Sequence, residues 1–182
     1  MCYRSRLQEN LPIPDIVLNG TIITVVDEYK YLGIMLQCTQ SNENDMKRQI
    51  RSMYARGNVL VSRFRNCSTN VKNWLFRTYF SNAYGCQTWT NYRKATYQKV
   101  RVAYNDIYRR LFNIQRGESI SAIFVRNHID SFCTLRRKIM YSLKCRLYRT
   151  ENLLIKSIVE SDQFAASAIY KEWQRSLHVA TV

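Results

Sequence analysis

At Ser41 the hydrophobic pattern of this chain changes period, and that change divides what it can fold into. Ahead of it, Ile16-Val17-Leu18 and Thr21 to Val26 are β-type runs on either side of Asn19-Gly20. That dipeptide suits a type I′ hairpin turn, which needs positive φ at both central positions. Leu11-Pro12-Ile13-Pro14 is expected to be extended, because proline biases the residue before it away from helix. A third β-type run spans Tyr29 to Leu36 with Gly33 inside it, and a glycine within a strand marks a bulge or the close approach of another backbone or ligand. After Ser41, Met46, Ile50, Met53, Gly57, Leu60 and Phe64 alternate at spacings of four and three, one continuous stripe on a helix. Gly57 inside that stripe predicts a helix crossing at short distance.

Further helices follow. Asn66 to Asn70 closes the first, and Ser68 or Thr69 can cap a second from Val71 to about Trp89, with Trp74, Leu75, Thr78, Tyr79 and Cys86 inward. A third covers about Ala95 to Phe112, with Tyr97, Val100, Tyr104, Ile107, Tyr108 and Leu111 recurring at three and four. Ser119 can cap a short helix to Asn127, and Asp130 or Ser131 a longer one to Tyr148 with Phe132, Leu135, Ile139 and Leu143 inward. Asn152 to Glu160 can form one more, and the last twenty residues are weakly patterned and expected to fray. The fold class is therefore α+β, mostly α: a short N-terminal β-hairpin or three-stranded unit, then a bundle of five or six helices. Residues 1–40, 41–150 and 151–182 form the β unit, the helical region, and a short helix with a weakly ordered tail.

The helical region has an unusual charge distribution. Between Met46 and Asn105 there is no Asp or Glu, but there are twelve Lys and Arg; Asp106 is the sole carboxylate between Asp45 and Glu118. The whole chain carries a formal charge of +15 over 182 residues. Such a block repels itself and asks for a partner that supplies negative charge, for which a polyphosphate is the best fit. At 46% hydrophobic and 13% aromatic residues the chain is no disordered basic tail. Most of its thirteen Tyr, seven Phe and three Trp are expected in the core, and the remainder can act as stacking platforms.

Several chemistries have no support. The six cysteines form no CxxC pair and have no His at ligand spacing, so a zinc site is not expected. With no apolar signal segment, reduced thiols and an intracellular setting, nucleus or cytoplasm, are the expectation. No run approaches the roughly 18 apolar residues of a membrane span. His128 and His178 are the only histidines, and no glycine-rich phosphate loop is present. Asp27-Glu28 is the only adjacent acidic pair, too few carboxylates for two-metal phosphoryl transfer.

A set of short motifs goes further than charge. Val26-Asp27-Glu28-Tyr29-Lys30-Tyr31-Leu32-Gly33-Ile34 resembles the segment that follows the catalytic palm of non-LTR (LINE-type) retrotransposon reverse transcriptases. Arg48-Gln49-Ile50-Arg51 with Tyr54-Ala55-Arg56-Gly57-Asn58, Cys67-Ser68 with Val71-Lys72 and Leu75-Phe76, and Tyr79, Tyr84 and Trp89-Thr90-Asn91-Tyr92 follow in that family's order. Val102-Ala103-Tyr104-Asn105 and Glu118-Ser119 with Phe124-Val125 complete a colinear set that covers about Met1 to Glu151.

The resemblance implies that Tyr31, Leu32 and Gly33 are a primer grip, the hairpin that steers a primer's 3′ end; a buried hinge between sheet and helices is the other reading of Tyr31 and Leu32. It implies that the helices are a thumb lying along a template–primer duplex of RNA and DNA, with Lys47, Arg48, Arg51, Arg56 and Arg63 on its phosphates. Such contacts position a duplex without reading its sequence. Five of them, at about −0.9 each, give a log–log salt slope of roughly −4 to −5. The family's metal-binding aspartates have no counterpart here, so no catalytic residue, metal ligand or cofactor is expected in this chain; Mg²⁺ would need the missing palm residues. Met1 to Arg6 matches the middle of the palm's last segment, and Met1 is expected to be an internal methionine of a longer frame. The expected protein is thus a reverse-transcriptase-like nucleic-acid binder, inactive as a polymerase alone. The alternatives are the functionless product of a decayed element and a helical adaptor that binds protein.

Overall fold

The computed structural model describes residues 12–81 and 83–177. It is α+β and mostly α, with two small hairpins followed by eight helices among the described residues. The first hairpin pairs β1 (Val17–Leu18) with β2 (Thr21–Ile22), and Asn19 and Gly20 take φ of 50° and 78°, as a type I′ turn requires. Its apolar residues, Ile16 to Leu18 and Ile22, remain exposed. The run from Tyr29 to Leu36 is not one strand. It folds back on itself as β3 (Glu28–Tyr31) and β4 (Ile34–Gln37), because Leu32 and Gly33 both adopt positive φ, 46° and 82°.

The long helix α1 (Glu43–Phe64) buries Met46, Met53, Gly57 and Leu60 against α3 (Lys94–Phe112), which buries Val100, Ala103, Tyr104, Ile107, Tyr108 and Leu111. The close crossing expected at Gly57 is present: a Cβ there would lie 2.7 Å from Ile107 Cγ2. Asn113, at φ 55°, ends α3 in the left-handed conformation, its N–H bonding back to Arg109.

Helix α2 (Thr69–Phe80) starts after Ser68, as expected, but stops nine residues short of Trp89. The chain then turns through Gly85, at φ 90°, into a 3₁₀ turn at Cys86–Thr88. Trp74, Thr78 and Tyr79, expected inward, face out, and Asn73, Leu75, Phe76 and Phe80 face in. A polar residue hides this phase in the sequence: the Asn73 amide oxygen accepts the Tyr108 hydroxyl at 2.8 Å, so Asn73 is a satisfied core residue.

Ser119 and Ser131 cap α4 (Ile120–Arg126) and α5 (Phe132–Arg149), accepting from the amides of Ala122 and Thr134. Asn152 caps α6 (Leu153–Val159) in the same way. The chain beyond is more ordered than its pattern suggests. Helices α7 (Asp162–Ala166) and α8 (Ala168–Leu177) return it to α5, with Trp173 and Glu172 buried. Met1 to Leu11 and His178, singled out in the sequence, lie outside the described residues.

Candidate nucleic-acid interface

The acid that opens the cationic block sets the geometry around it. Asp45, in the first turn of α1, is fully buried. Its Oδ1 accepts the Met35 amide at 3.1 Å and Arg48 Nε at 2.7 Å, and its Oδ2 accepts Trp89 Nε1 at 2.8 Å. One carboxylate therefore ties β4, α1 and the 3₁₀ turn together. Gly85 is part of that joint, because a Cβ there would meet Ile34 Cγ1 at 3.2 Å and Asp45 Oδ2 at 3.4 Å.

The hairpin tip projects from this joint. Tyr31 and Leu32 are exposed, Leu32 by 71%, so the buried-hinge reading of the pair is wrong. They point outward because they sit at and beside the turn. Gly33 packs on the Tyr84 ring, whose Cε1 lies 3.4 Å from where its Cβ would be. The Tyr84 carbonyl in turn accepts Arg48 Nη2 at 3.4 Å. Tyr84 thus connects the tip to α1. The close approach of a backbone or ligand expected at Gly33 is not what the glycine serves: Tyr84 lies at ordinary contact distance, and glycine answers the positive φ of the turn.

The five α1 cations are not equivalent. Arg48 is ion-paired with Asp45, and its side chain is only 22% exposed. Arg56 Nη1 donates to the Tyr79 carbonyl at 2.8 Å, at the end of α2, and its guanidinium lies over the Phe80 ring. Burial, and then the like charge of Arg48, depress its pKa. Both side chains support the fold, and a phosphate would have to displace those bonds. Lys47, Arg51 and Arg63 are exposed. At about 100° per residue, Lys47 and Arg51 share one flank of α1, continued by exposed Arg65, whereas Arg63 lies on the other flank with Arg56. The expected set is therefore split over two flanks rather than gathered on one.

What the fold does not do is neutralise the block. Of its twelve cations, Arg48 alone forms an ion pair among the described residues. The two flanking acids are drawn into the fold: Asp45 is buried, and half-buried Asp106 faces Tyr54, whose pKa is raised by burial and then by that carboxylate. Asp45, Tyr84 and Trp89 are the residues sequence reasoning left out of the site. An acid standing alone at the edge of a basic block is the signal that points to Asp45.

Among the described residues no group of three or more His, Cys, Asp or Glu converges where it could hold a metal ion, and no helix is long and apolar enough to cross a membrane. Comparison with protein-family models, curated proteins and solved structures finds no match.

Proposed function

We propose that this chain binds the sugar–phosphate backbone of an RNA or DNA template–primer duplex, in the manner of the primer grip and thumb of a non-LTR retrotransposon reverse transcriptase, inside the cell and without polymerase carboxylates of its own. The observation that carries this reading is the weakly neutralised block: eleven of its twelve cations form no ion pair among the described residues, although Lys47 and Arg93 feel the charge of nearby Glu43. A polyphosphate supplies the missing charge, releasing counterions as it binds. Lys47, Arg51 and Arg65 on one flank of α1 hold a backbone, Arg63 adds a contact on the other, and the exposed Tyr31-Leu32 tip meets the strand end. Arg48 and Arg56 act behind them, holding the tip and α2 in place.

The test is fluorescence anisotropy with a labelled RNA–DNA hybrid. Lys47→Glu/Arg51→Glu weakens binding by about tenfold or more at 0.1 M salt, while scrambling the duplex sequence changes it little. Affinity insensitive to the charge reversal defeats the reading.

A further inference from the structure

We infer that the cleft between α3, α5 and α8 is a second binding site, one that takes a phosphate ester of nucleotide size. The cleft has a volume of about 420 Å³, within the range of small-molecule sites. Exposed Lys94 and Gln98 of α3, Arg137 of α5 and Arg175 of α8 form its rim. Its floor is built and rigid. Arg136, 4% exposed, donates to the Cys86 carbonyl at 3.2 Å, the Trp89 carbonyl at 2.7 Å, the Tyr92 hydroxyl at 2.9 Å and Glu172 Oε1 at 3.0 Å.

Among the described residues Glu172 is the only carboxylate lining the cleft, and it is already satisfied. Besides Arg136 it accepts the Tyr92 hydroxyl at 3.0 Å, Ser176 Oγ at 3.2 Å and Arg175 Nη2. Three of these donors share Oε1 and Arg175 holds Oε2, so Arg175 stays with Glu172. The rim then offers Lys94 and Arg137, two cations with no acidic partner among the described residues, and Gln98 adds hydrogen-bonding capacity. Bare phosphate would fill little of this volume. The half-buried Tyr92 and Tyr97 rings, backed by Met140, give the rest of the ligand an apolar wall, which suits the flat base and sugar of a nucleotide. The inference does not rest on duplex binding by α1.

Cys133 also lines the cleft and provides the readout, because its alkylation can be followed by mass spectrometry beside that of half-buried Cys67. Adenosine monophosphate is expected to slow Cys133 alkylation at least fivefold without protecting Cys67. Adenosine and inorganic phosphate, each alone, protect far less. Lys94→Ala/Arg137→Ala is expected to weaken the nucleotide at least tenfold by calorimetry with an unchanged melting temperature, both side chains being exposed. Lys47→Ala/Arg51→Ala leaves nucleotide binding unchanged, whatever it does to the duplex. A 5′-phosphorylated oligonucleotide that displaces the nucleotide identifies a strand end as the source, and one that does not identifies the free nucleotide. Protection by adenosine or inorganic phosphate equal to that by the nucleotide, or nucleotide binding unchanged in Lys94→Ala/Arg137→Ala, overturns the assignment.

Discussion

Asp45 and Leu32 show how much single residues decide here. Asp45 receives three donors in a site closed to water. In Asp45→Asn, one carboxylate oxygen becomes an NH₂ group, so either Trp89 Nε1–H or the Arg48–Met35 pair loses its acceptor. The expected cost is about 3 kcal/mol, combining an orphaned buried donor with a broken charge pair. Chemical denaturation measures it, and a coupling of about 1 kcal/mol or more with Trp89→Phe is expected from the shared bond. Leu32 is the opposite case, a branched apolar side chain held at φ 46° where turns of this type prefer Asn or Gly. Leu32→Asn relieves that strain and is expected to raise stability by about 0.5–1 kcal/mol. If the tip meets a primer, the same change lowers affinity for a recessed duplex end but not for a blunt one. The turn was hidden in the sequence because Leu is a poor turn former; Gly33 announced a special backbone but not its kind.

At the scale of elements, α1 and α3 were legible almost to the residue, since long apolar stripes leave little freedom of phase. Their crossing was legible too, from a glycine where the stripe calls for a larger residue. Gly57→Ala places a methyl 2.7 Å from Ile107 Cγ2, and the overpacking cost of about 1–3 kcal/mol outweighs the roughly 1 kcal/mol gained in helix propensity. A lowered denaturation midpoint at unchanged m-value checks it. The elements misread were those with polar groups facing inward. Asn73 in α2 and Glu172 in α8 are satisfied by partners 35 and 36 residues away, Tyr108 and Arg136, and no local pattern reports such partners. The start of α3 has a similar long-range cap. Glu43 accepts the Arg93 amide at 2.7 Å and the Thr96 hydroxyl. Slight burial works against its charge, but these bonds and the nearby cations prevail and hold its pKa below the ordinary carboxylate value. A depressed folded pKa stabilises the protein above the unfolded value, about 4.3 for Glu, and that contribution is lost as pH falls through the lower folded value. Glu43→Gln is therefore expected to flatten the acid limb of a stability–pH profile below about pH 4.3 and to leave the rest parallel to the parent.

For the whole molecule, the fold class was legible in a coarse feature of the sequence, its period, and charge is the equally coarse feature on which the proposed polyphosphate partner rests. The internal use of the charges did not, because an Arg reads the same whether it meets a phosphate or a backbone carbonyl. Folding spends Arg48 and Arg56 on Asp45, Tyr84 and Tyr79 and leaves Lys47, Arg51 and Arg63 of the original five at the surface. That changes a number. Five phosphate contacts correspond to a log–log salt slope of roughly −4 to −5, and the three that remain, with Arg65 as a fourth, to about −3.6. The deciding measurement is this slope for an RNA–DNA hybrid, taken for the parent chain and for Lys47→Ala/Arg51→Ala/Arg63→Ala at matched pH. The account predicts between about −3 and −4 for the parent and about −1, from the remaining Arg65, for the triple variant, the latter with an unchanged melting temperature. A parent affinity indifferent to salt, or a triple variant with the parent's slope, would contradict it.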